Sequence, residues 1–275
     1  MTPAPLSSVT IVIVTYESAD VIEGCLESIA RHAASCRTLV VDNASRDDTR
    51  ARASRFDFAH VLEMPGNEGF SCANNRGLRE VTTEFALVLN PDARLTETTL
   101  PGLLAAAARS RDGAAFGPLT QHEDGRPQVS FGPDLGLLSE FAQRRLVTGV
   151  KSGNPAAIAR WTALSATERR VDWISGSCML LRIESLRAVG GFDERYFLYE
   201  EDADLCLRLR LAGYAVVFTP EARVIHALGT TMAKMSGRAR EAYDRSHRLY
   251  YRLHRNALER FALEAMLFAK SLGRR

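Results

Sequence analysis

The sequence predicts an α/β fold with a mostly parallel central sheet flanked by helices and a helical appendage at the C-terminus. Three observations carry that prediction. Short continuous apolar runs, such as Val9 to Val14 (VTIVIV) and Phe85 to Leu89 (FALVL), read as strands buried on both faces, as in a parallel sheet. Segments of helical periodicity separate these runs, as βα units require. Polar residues recur just beyond the strands, and in open α/β sheets ligands bind beyond the carboxyl ends of strands.

The elements follow in order. After the first strand, Asp20 and Glu23 resemble a capping box, and Ile22, Cys25, Leu26 and Ile29 repeat at i, i+3, i+4 and i+7. Thr38 to Val41 is a second strand that ends at Asp42, Asp48 to Phe56 a short helix, and His60 to Glu63 a third strand. Ser71 to Glu80 reads as helix, Phe85 to Leu89 as a strand that ends at Asn90, and Thr99 to Arg109 as helix, with Pro101 tolerated in its first turn. Ala114 to Leu119 is a further strand. Residues 121–170 are irregular and rich in Gly, Pro and Arg, with helix expected from Leu137 to Val147. Order returns with a strand at Cys178 to Ile183, an acidic helix, a strand at Ala215 to Thr219 and another at Arg223 to His226. The strand ends then carry Thr15-Tyr16-Glu17, Asp42-Asn43-Ala44-Ser45 and Asn90-Pro91-Asp92.

Composition bounds the function. With 275 residues, 46% hydrophobic and 25% charged, the chain can bury a core and is not globally disordered. It has no apolar run of about 18 residues to span a membrane, and MTPAPLSS has no secretory character. Five scattered cysteines without a CxxC pair read as reduced thiols, so a cytoplasmic location is expected. Charge is uneven. Between Arg238 and Arg275, ten Lys or Arg stand against four Asp or Glu, so that tail is +6 and the rest −4. Such a tail suits an anionic partner, a membrane surface or a nucleic acid. The first strand is followed by TYESAD, which lacks the glycines of a dinucleotide-binding GxGxxG or a phosphate-cradling P-loop. It also lacks the Gly-rich basic loop of a sugar-phosphate nucleotidyltransferase.

Six segments, VTIVIVTYES, LVVDNASRDDT, GNEGFSCANNRGL, ALVLNPDA, VGGFDERYFLYEEDADLCLRLRLAGY and RVIHALGTT, together resemble the family 2, GT-A fold glycosyltransferases. They are most similar to rhamnosyltransferase-like members that build bacterial surface polysaccharides. The likeness covers roughly residues 9 to 230 in the family's order. It implies residues 1–235 as the glycosyltransferase domain and 236–275 as a basic helical tail. It also implies a nucleotide-diphosphate sugar donor, a saccharide or lipid-linked saccharide acceptor, a divalent metal (Mg2+ or Mn2+) and inverting transfer. The donor it suggests is deoxythymidine-diphosphate-linked, with rhamnose as the sugar. A nucleotide-sugar-binding module without catalysis is the alternative, kept alive by Asn90.

By resemblance, Thr15 and Tyr16 line the base pocket, Asp42 accepts from the base or ribose, and Glu17 and Ser45 belong to the same nucleotide site. Asn67, Gly69, Phe70, Asn74 and Asn75 line the nucleotide and donor sugar. Asn90-Pro91-Asp92 takes the place of the Asp-x-Asp metal motif. Its first acid is replaced by an amide, a poorer ligand for a hard cation, which leaves Asp92 as the direct ligand and His226 as the second. Plainer readings stay open: Asp42 as a turn residue, Asn74 and Asn75 as helix-surface residues, His226 as a structural histidine, and Trp173 and Gly176 as core or acceptor residues.

Four of the five residues from Glu200 to Asp204 are acids. A helix start favours acids by roughly 0.3–1 kcal/mol each, and like charges repel by similar amounts, so capping explains only one or two. The resemblance makes Asp202 the catalytic base and Glu201 its orienting neighbour. Glu200 and Asp204 are left for capping and for pairing, Asp204 with Arg208. In the tail, Leu258, Phe261, Ala262, Ala265, Phe268 and Leu272 share one helical face flanked by Arg252, Arg255, Arg260, Lys270, Arg274 and Arg275. That face suits peripheral contact with the cytoplasmic side of an anionic membrane. It equally suits packing on the protein's own domain or on a partner subunit, so a homodimer is compatible with it. No nucleic-acid partner is expected.

Overall fold

The computed structural model describes residues 2–227 and 236–272, with side chains described within 2–227 and 240–268. A sheet of ten strands forms the centre. Along its main path the order is β3 (Ala59–Glu63), β2 (Arg37–Asp42), β1 (Val9–Thr15), β4 (Phe85–Leu89), β11 (Cys178–Arg182), β6 (Gly113–Gln121), β12 (Ala215–His226) and β5 (Ala93–Leu95). The β3–β2–β1–β4 ladder is parallel, as is β6 with β12, while β11 runs antiparallel to both of its neighbours. β1, β2, β4 and β12 therefore all end on the same edge of the sheet.

Two-residue alternation sorts the apolar runs between the two faces. Val9, Ile11 and Ile13 of β1, with Phe85, Leu87 and Leu89 of β4, face α1 (Ile22–His32) and α4 (Thr99–Arg109). Val12, Val14, Ala86 and Val88 face α3 (Phe70–Leu78) and α8 (Glu201–Leu211). Both faces are covered, so the strands tolerate no polar alternation. Cys178 and Cys206 are buried there as free thiols.

The structure departs from the sequence reading in several places. α1 starts after Val21 without a side-chain cap, and Glu23 pairs with Arg52 and Arg55 of α2 (Thr49–Ala53) and the turn after it, so there is no capping box. The irregular stretch is largely helical: α5 (Leu137–Lys151) and α6 (Pro155–Leu164), the latter capped by Asn154 with Pro155 at its start. The two expected late strands are one, β12, interrupted by a register shift between Thr219 and Arg223. β5, the short helix α7 (Ile183–Ala188) and the two-residue strands β7 (Pro127–Gln128), β8 (Phe131–Gly132), β9 (Arg169–Arg170) and β10 (Trp173–Ile174) had no expectation behind them.

Two C-terminal helices complete the chain, α9 (Ser236–His254) and α10 (Ala257–Leu272). Leu249, Tyr250, Tyr251 and Leu263 pack with Tyr196, Ala203 and Leu207 in a third apolar cluster. Residues 228–231 of the RVIHALGTT motif, the expected boundary after 235, Arg274 and Arg275 lie outside the described residues, as do the side chains of Lys270 and Leu272.

Candidate active site

The carboxyl ends of β1, β2, β4 and β12 open onto a cavity of about 320 Å3. Ten expected site residues line it. Tyr16, Asn67, Gly69 and Phe70 form one side; Asn90, Pro91, Asp92 and His226 form another; Glu201 and Asp202 face them.

Thr15, Glu17, Asp42, Ser45, Asn74 and Asn75 are not among the lining residues, and their hydrogen bonds give the reason. Asp42 is 1% exposed, and its carboxylate accepts from the Thr15 hydroxyl (3.1 Å) and the Ser45 N–H (3.0 Å). The turn reading of Asp42 therefore describes its geometry. Glu17 has φ +51° and accepts from the Arg46 N–H, while its own N–H donates to Ser45 Oγ. Asn74 donates to the Phe70 carbonyl, and the Asn75 side chain clamps Phe192, donating to its carbonyl and accepting from its N–H. These six residues frame the wall and hold its loops in place. Asn43, beside Asp42, does line the cavity; it donates to Asn67 Oδ1 at 2.9 Å and accepts from the Glu68 N–H at 3.0 Å.

Asp92 and His226 are brought together by β5, which pairs antiparallel with the end of β12 so that Ala93 lies opposite His226. The Ala227 N–H donates to the Asp92 carbonyl. His226 Nε2 then lies 3.1 Å from Asp92 Oδ1 and 3.4 Å from the Asn90 amide, while the Gln128 amide meets Nδ1 at 3.2 Å. Among the described residues no cluster of three or more His, Cys, Asp or Glu could enclose a metal. A carboxylate beside an imidazole on an open cavity wall still fits Mg2+ or Mn2+, which takes its remaining ligands from phosphate and water.

The acidic turn resolves into four different roles. Tyr199 and Glu200 both adopt left-handed backbone, φ +70° and +65°, and α8 starts from them. Asp202, partly exposed in the cavity, accepts from the Gly176 N–H (2.9 Å) and the Ala203 N–H (2.8 Å). Burial pushes its carboxyl up to about 6 although those donors pull it down. Glu201 is 6% exposed, and its Oε2 is buried without a protein partner. Burial first, and the charge of Asp202 next, raise its carboxyl well above the usual range. Asp204 is fully buried and meets Arg208 Nε at 2.7 Å, the expected i, i+4 pair, and also His254 Nε2 at 2.7 Å. Glu200 meets His247 Nδ1 at 3.0 Å, and its side chain does not cap the helix. Leu205 and Leu209 face the core, while Ala212, just past the end of the helix at Leu211, is exposed.

Sequence reasoning missed Asn43, Gln128, Ser175, Ser177 and the Phe197–Tyr199 segment, all of which line the cavity. Asn43 sits in the DNAS turn after the second strand, where a polar side chain at a strand end was itself a signal. Gln128 had none, since its place depends on β7 pairing with β6. Gly176, one of two residues left open between core and acceptor site, lines the cavity; Trp173, the other, packs with the apolar clusters.

Residues 10–160 match the model of glycosyl transferase family 2, and residues 158–272 match that of glycosyl transferase family group 2. An N-acetylglucosaminyl-diphospho-decaprenol L-rhamnosyltransferase of Mycobacterium tuberculosis is 33% identical over 238 residues, 78% of this chain and 75% of its own. A rhamnosyltransferase of Escherichia coli is 29% identical over 228 residues, covering 79% and 83% of the two chains. Among solved structures, a mannosyltransferase from Pyrobaculum calidifontis, in complex with GDP-Man and Mn2+, matches with a TM-score of 0.58 at 18% identity, covering 96% of this chain and 80% of that one. At that identity the likeness speaks for the fold, which is GT-A. With half of the chain matched by the family model and 33% identity to the mycobacterial relative over 78% of the chain, the protein belongs to glycosyl transferase family 2.

Proposed function

We propose that the protein is an inverting glycosyltransferase that moves a sugar, rhamnose first among candidates, from a nucleotide-diphosphate donor to a lipid-linked saccharide in polysaccharide synthesis. The observation that carries this reading is the placement of Asp202, held by two backbone N–H groups, in the same cavity as Asp92 and His226. The names of the mycobacterial and Escherichia coli relatives support the sugar, and that of the mycobacterial one supports the class of acceptor.

In this reading Tyr16 and Asn43 receive the nucleoside, and Asn90 and Asp92 face the diphosphate. Asp92 and His226 would hold a divalent cation, which offsets charge growing on the leaving group. The acceptor hydroxyl attacks the anomeric carbon, the bond to the diphosphate oxygen breaks, and Asp202 takes the hydroxyl proton. A hydroxyl is scarcely ionised at neutral pH, so a positioned base is needed. A carboxyl near 6 is still ionised at pH 7.5 and is more basic than a solvated aspartate. Glu201, whose burial favours the neutral carboxyl, helps to orient the acceptor beside Asp202. Thermal-shift screening of nucleotide sugars with and without Mn2+ tests the donor assignment. A ligand at a hundred times its Kd adds about 2.7 kcal/mol. Stabilisation without turnover on any lipid-linked acceptor would instead leave a nucleotide-sugar-binding module.

The tail is proposed to rest on an anionic membrane. α10 buries Leu263 against α9 and turns Leu258 and Phe261 outward, 76% and 74% exposed. The neighbouring α5 adds Leu138 and Phe141, 89% and 63% exposed, with Arg145 over the Phe141 ring. Outward apolar side chains on helices that also carry the exposed Arg252 and Arg260 suit insertion between anionic headgroups, although Arg255, expected on that flank, turns inward to Asp134. No helix among the described residues is long and apolar enough to cross a membrane. Co-sedimentation with phosphatidylglycerol vesicles is expected for the wild type and lost in Leu258→Ser/Phe261→Ser. Absence of binding, with a dimer dispersed by the same substitutions, would assign the face to a second copy.

A further inference from the structure

α9 does more than cover the domain. His247, fully buried, lies between two carboxylates: Nδ1 is 3.0 Å from Glu200 Oε1, and Nε2 is 3.2 Å from Glu140 Oε2 on α5, too poorly aligned for a hydrogen bond. Tyr251 donates to the other oxygen of Glu140 at 2.6 Å, and Arg144 closes the outer side at 3.0 Å from Glu140. The His247 ring stacks on Tyr243, whose ring in turn meets Tyr199 edge-on. One residue earlier, Ser246 donates to the Leu198 carbonyl at 2.8 Å. Successive residues of the turn, Leu198, Tyr199 and Glu200, are thus each gripped by α9.

That turn needs gripping. Tyr199 and Glu200 are consecutive non-glycine residues with positive φ, a conformation that persists only where surrounding structure imposes it. α8 starts at the next residue, and Asp202 is its second. Burial opposes charge on His247, but Glu140 and Glu200 together outweigh it and push its pKa up to about 9. A charged imidazole between two buried acids is therefore the form present at neutral pH. Truncating a member of such a set leaves the others uncompensated.

We infer that His247 is a positioning residue for transfer: by bridging Glu140 and Glu200 it fixes the left-handed Tyr199–Glu200 turn and thereby sets where Asp202 meets the acceptor. The inference rests on the proposed role of Asp202 as base. It gives the C-terminal helix a part in transfer through Ser246 and His247, which do not line the cavity.

The test compares His247→Gln, Ser246→Ala and Tyr250→Phe in the full chain, by kcat, donor KM and melting temperature. Tyr250→Phe deletes an α9 hydrogen bond to Asp134 that lies away from the turn, and so controls for loss of tail packing alone. His247→Gln is expected to lower kcat at least tenfold with donor KM within threefold. Ser246→Ala, the milder variant should His247→Gln not fold, is expected to lower kcat at least threefold. Tyr250→Phe should keep kcat although it melts lower. In the double variant His247→Gln/Glu200→Gln the losses should not multiply, because both act on one bridge. Wild-type kcat in His247→Gln, or in Ser246→Ala should that alone fold, overturns the inference. So does a fall shared equally by Tyr250→Phe. Asp202→Asn separates the two claims. If it is inactive while His247→Gln is active, only the positioning fails; if it is active while His247→Gln is not, the base assignment fails, and with it the claim that His247 acts through Asp202.

Discussion

Replacing Asp202 by Asn should separate catalysis from stability in opposite directions. Folding raises the carboxyl from 3.8 to about 6, so the ionised form costs up to ~3 kcal/mol of stability at neutral pH. The sign follows from proton binding: the folded state holds the proton more tightly, so the cost is absent below the unfolded value and complete above about pH 6. The amide removes the charge. It has a single acceptor oxygen, so one of the two N–H groups, Gly176 or Ala203, loses its partner at a cost of about 1–2 kcal/mol. The variant is therefore expected to melt level with or above the wild type at pH 7.5, by up to about 4–8 °C for a gain of ~2 kcal/mol. Below pH 4 the advantage should vanish. Transfer should fall by roughly 10²–10⁴-fold, equivalent to about 2.7–5.5 kcal/mol of transition-state stabilisation. Turnover, nucleotide-sugar binding and melting are to be read on one preparation. Near wild-type turnover would refute the base assignment. A melting temperature many degrees lower, with activity lost in proportion, would make Asp202 structural.

Three further outcomes are expected. Chelation should abolish transfer, Mn2+ or Mg2+ should restore it, and Asp92→Ala should not be restored; full activity in chelator would rule out a metal-assisted transfer. The pH profile of kcat/KM should fall tenfold per unit below about pH 6, where Asp202 gains its proton, and be flat above; a plateau extending to pH 4 would show that Asp202 is not the base. Gly69 has φ +90°, and a Cβ there would lie 2.5 Å from the Phe197 carbonyl oxygen, so Gly69→Ala should lose about 2–3 kcal/mol and disturb the cavity wall, whereas Gly66→Ala, with open space around it, should be neutral.

Much of this architecture was legible in the sequence for physical reasons. VTIVIV and FALVL are apolar at every position but Thr10 because helices cover both faces of the sheet, and such runs announce strands directly. The polar segments at strand ends announced the edge on which the cavity opens. Other features depend on pairing between distant segments. β5 is three residues long and exists through β12, yet it is what brings Asp92 to His226. Pro220 and the register shift made one long strand read as two. α6 carried a local signal, Asn154 capping with Pro155 after it, but the Gly- and Arg-rich stretch around it masked that signal. The fates of Glu200 and Asp204 were the least legible. Their partners, His247 and His254, lie 47 and 50 residues further on, and nothing in the acidic turn points to them. The apolar face of α10 was legible as a face; the structure adds that Leu258 and Phe261 turn away from the protein's own domain.

The central claim is a single displacement with Asp202 as base, and the configuration of the product tests it most directly. Transfer from a nucleotide sugar of known anomeric configuration to a lipid-linked acceptor, followed by NMR as product forms, should show the opposite configuration at the newly bonded carbon from the first turnover. A product that retains the donor's configuration would require two displacements or a front-side attack, and would contradict Asp202 as the base of a single displacement.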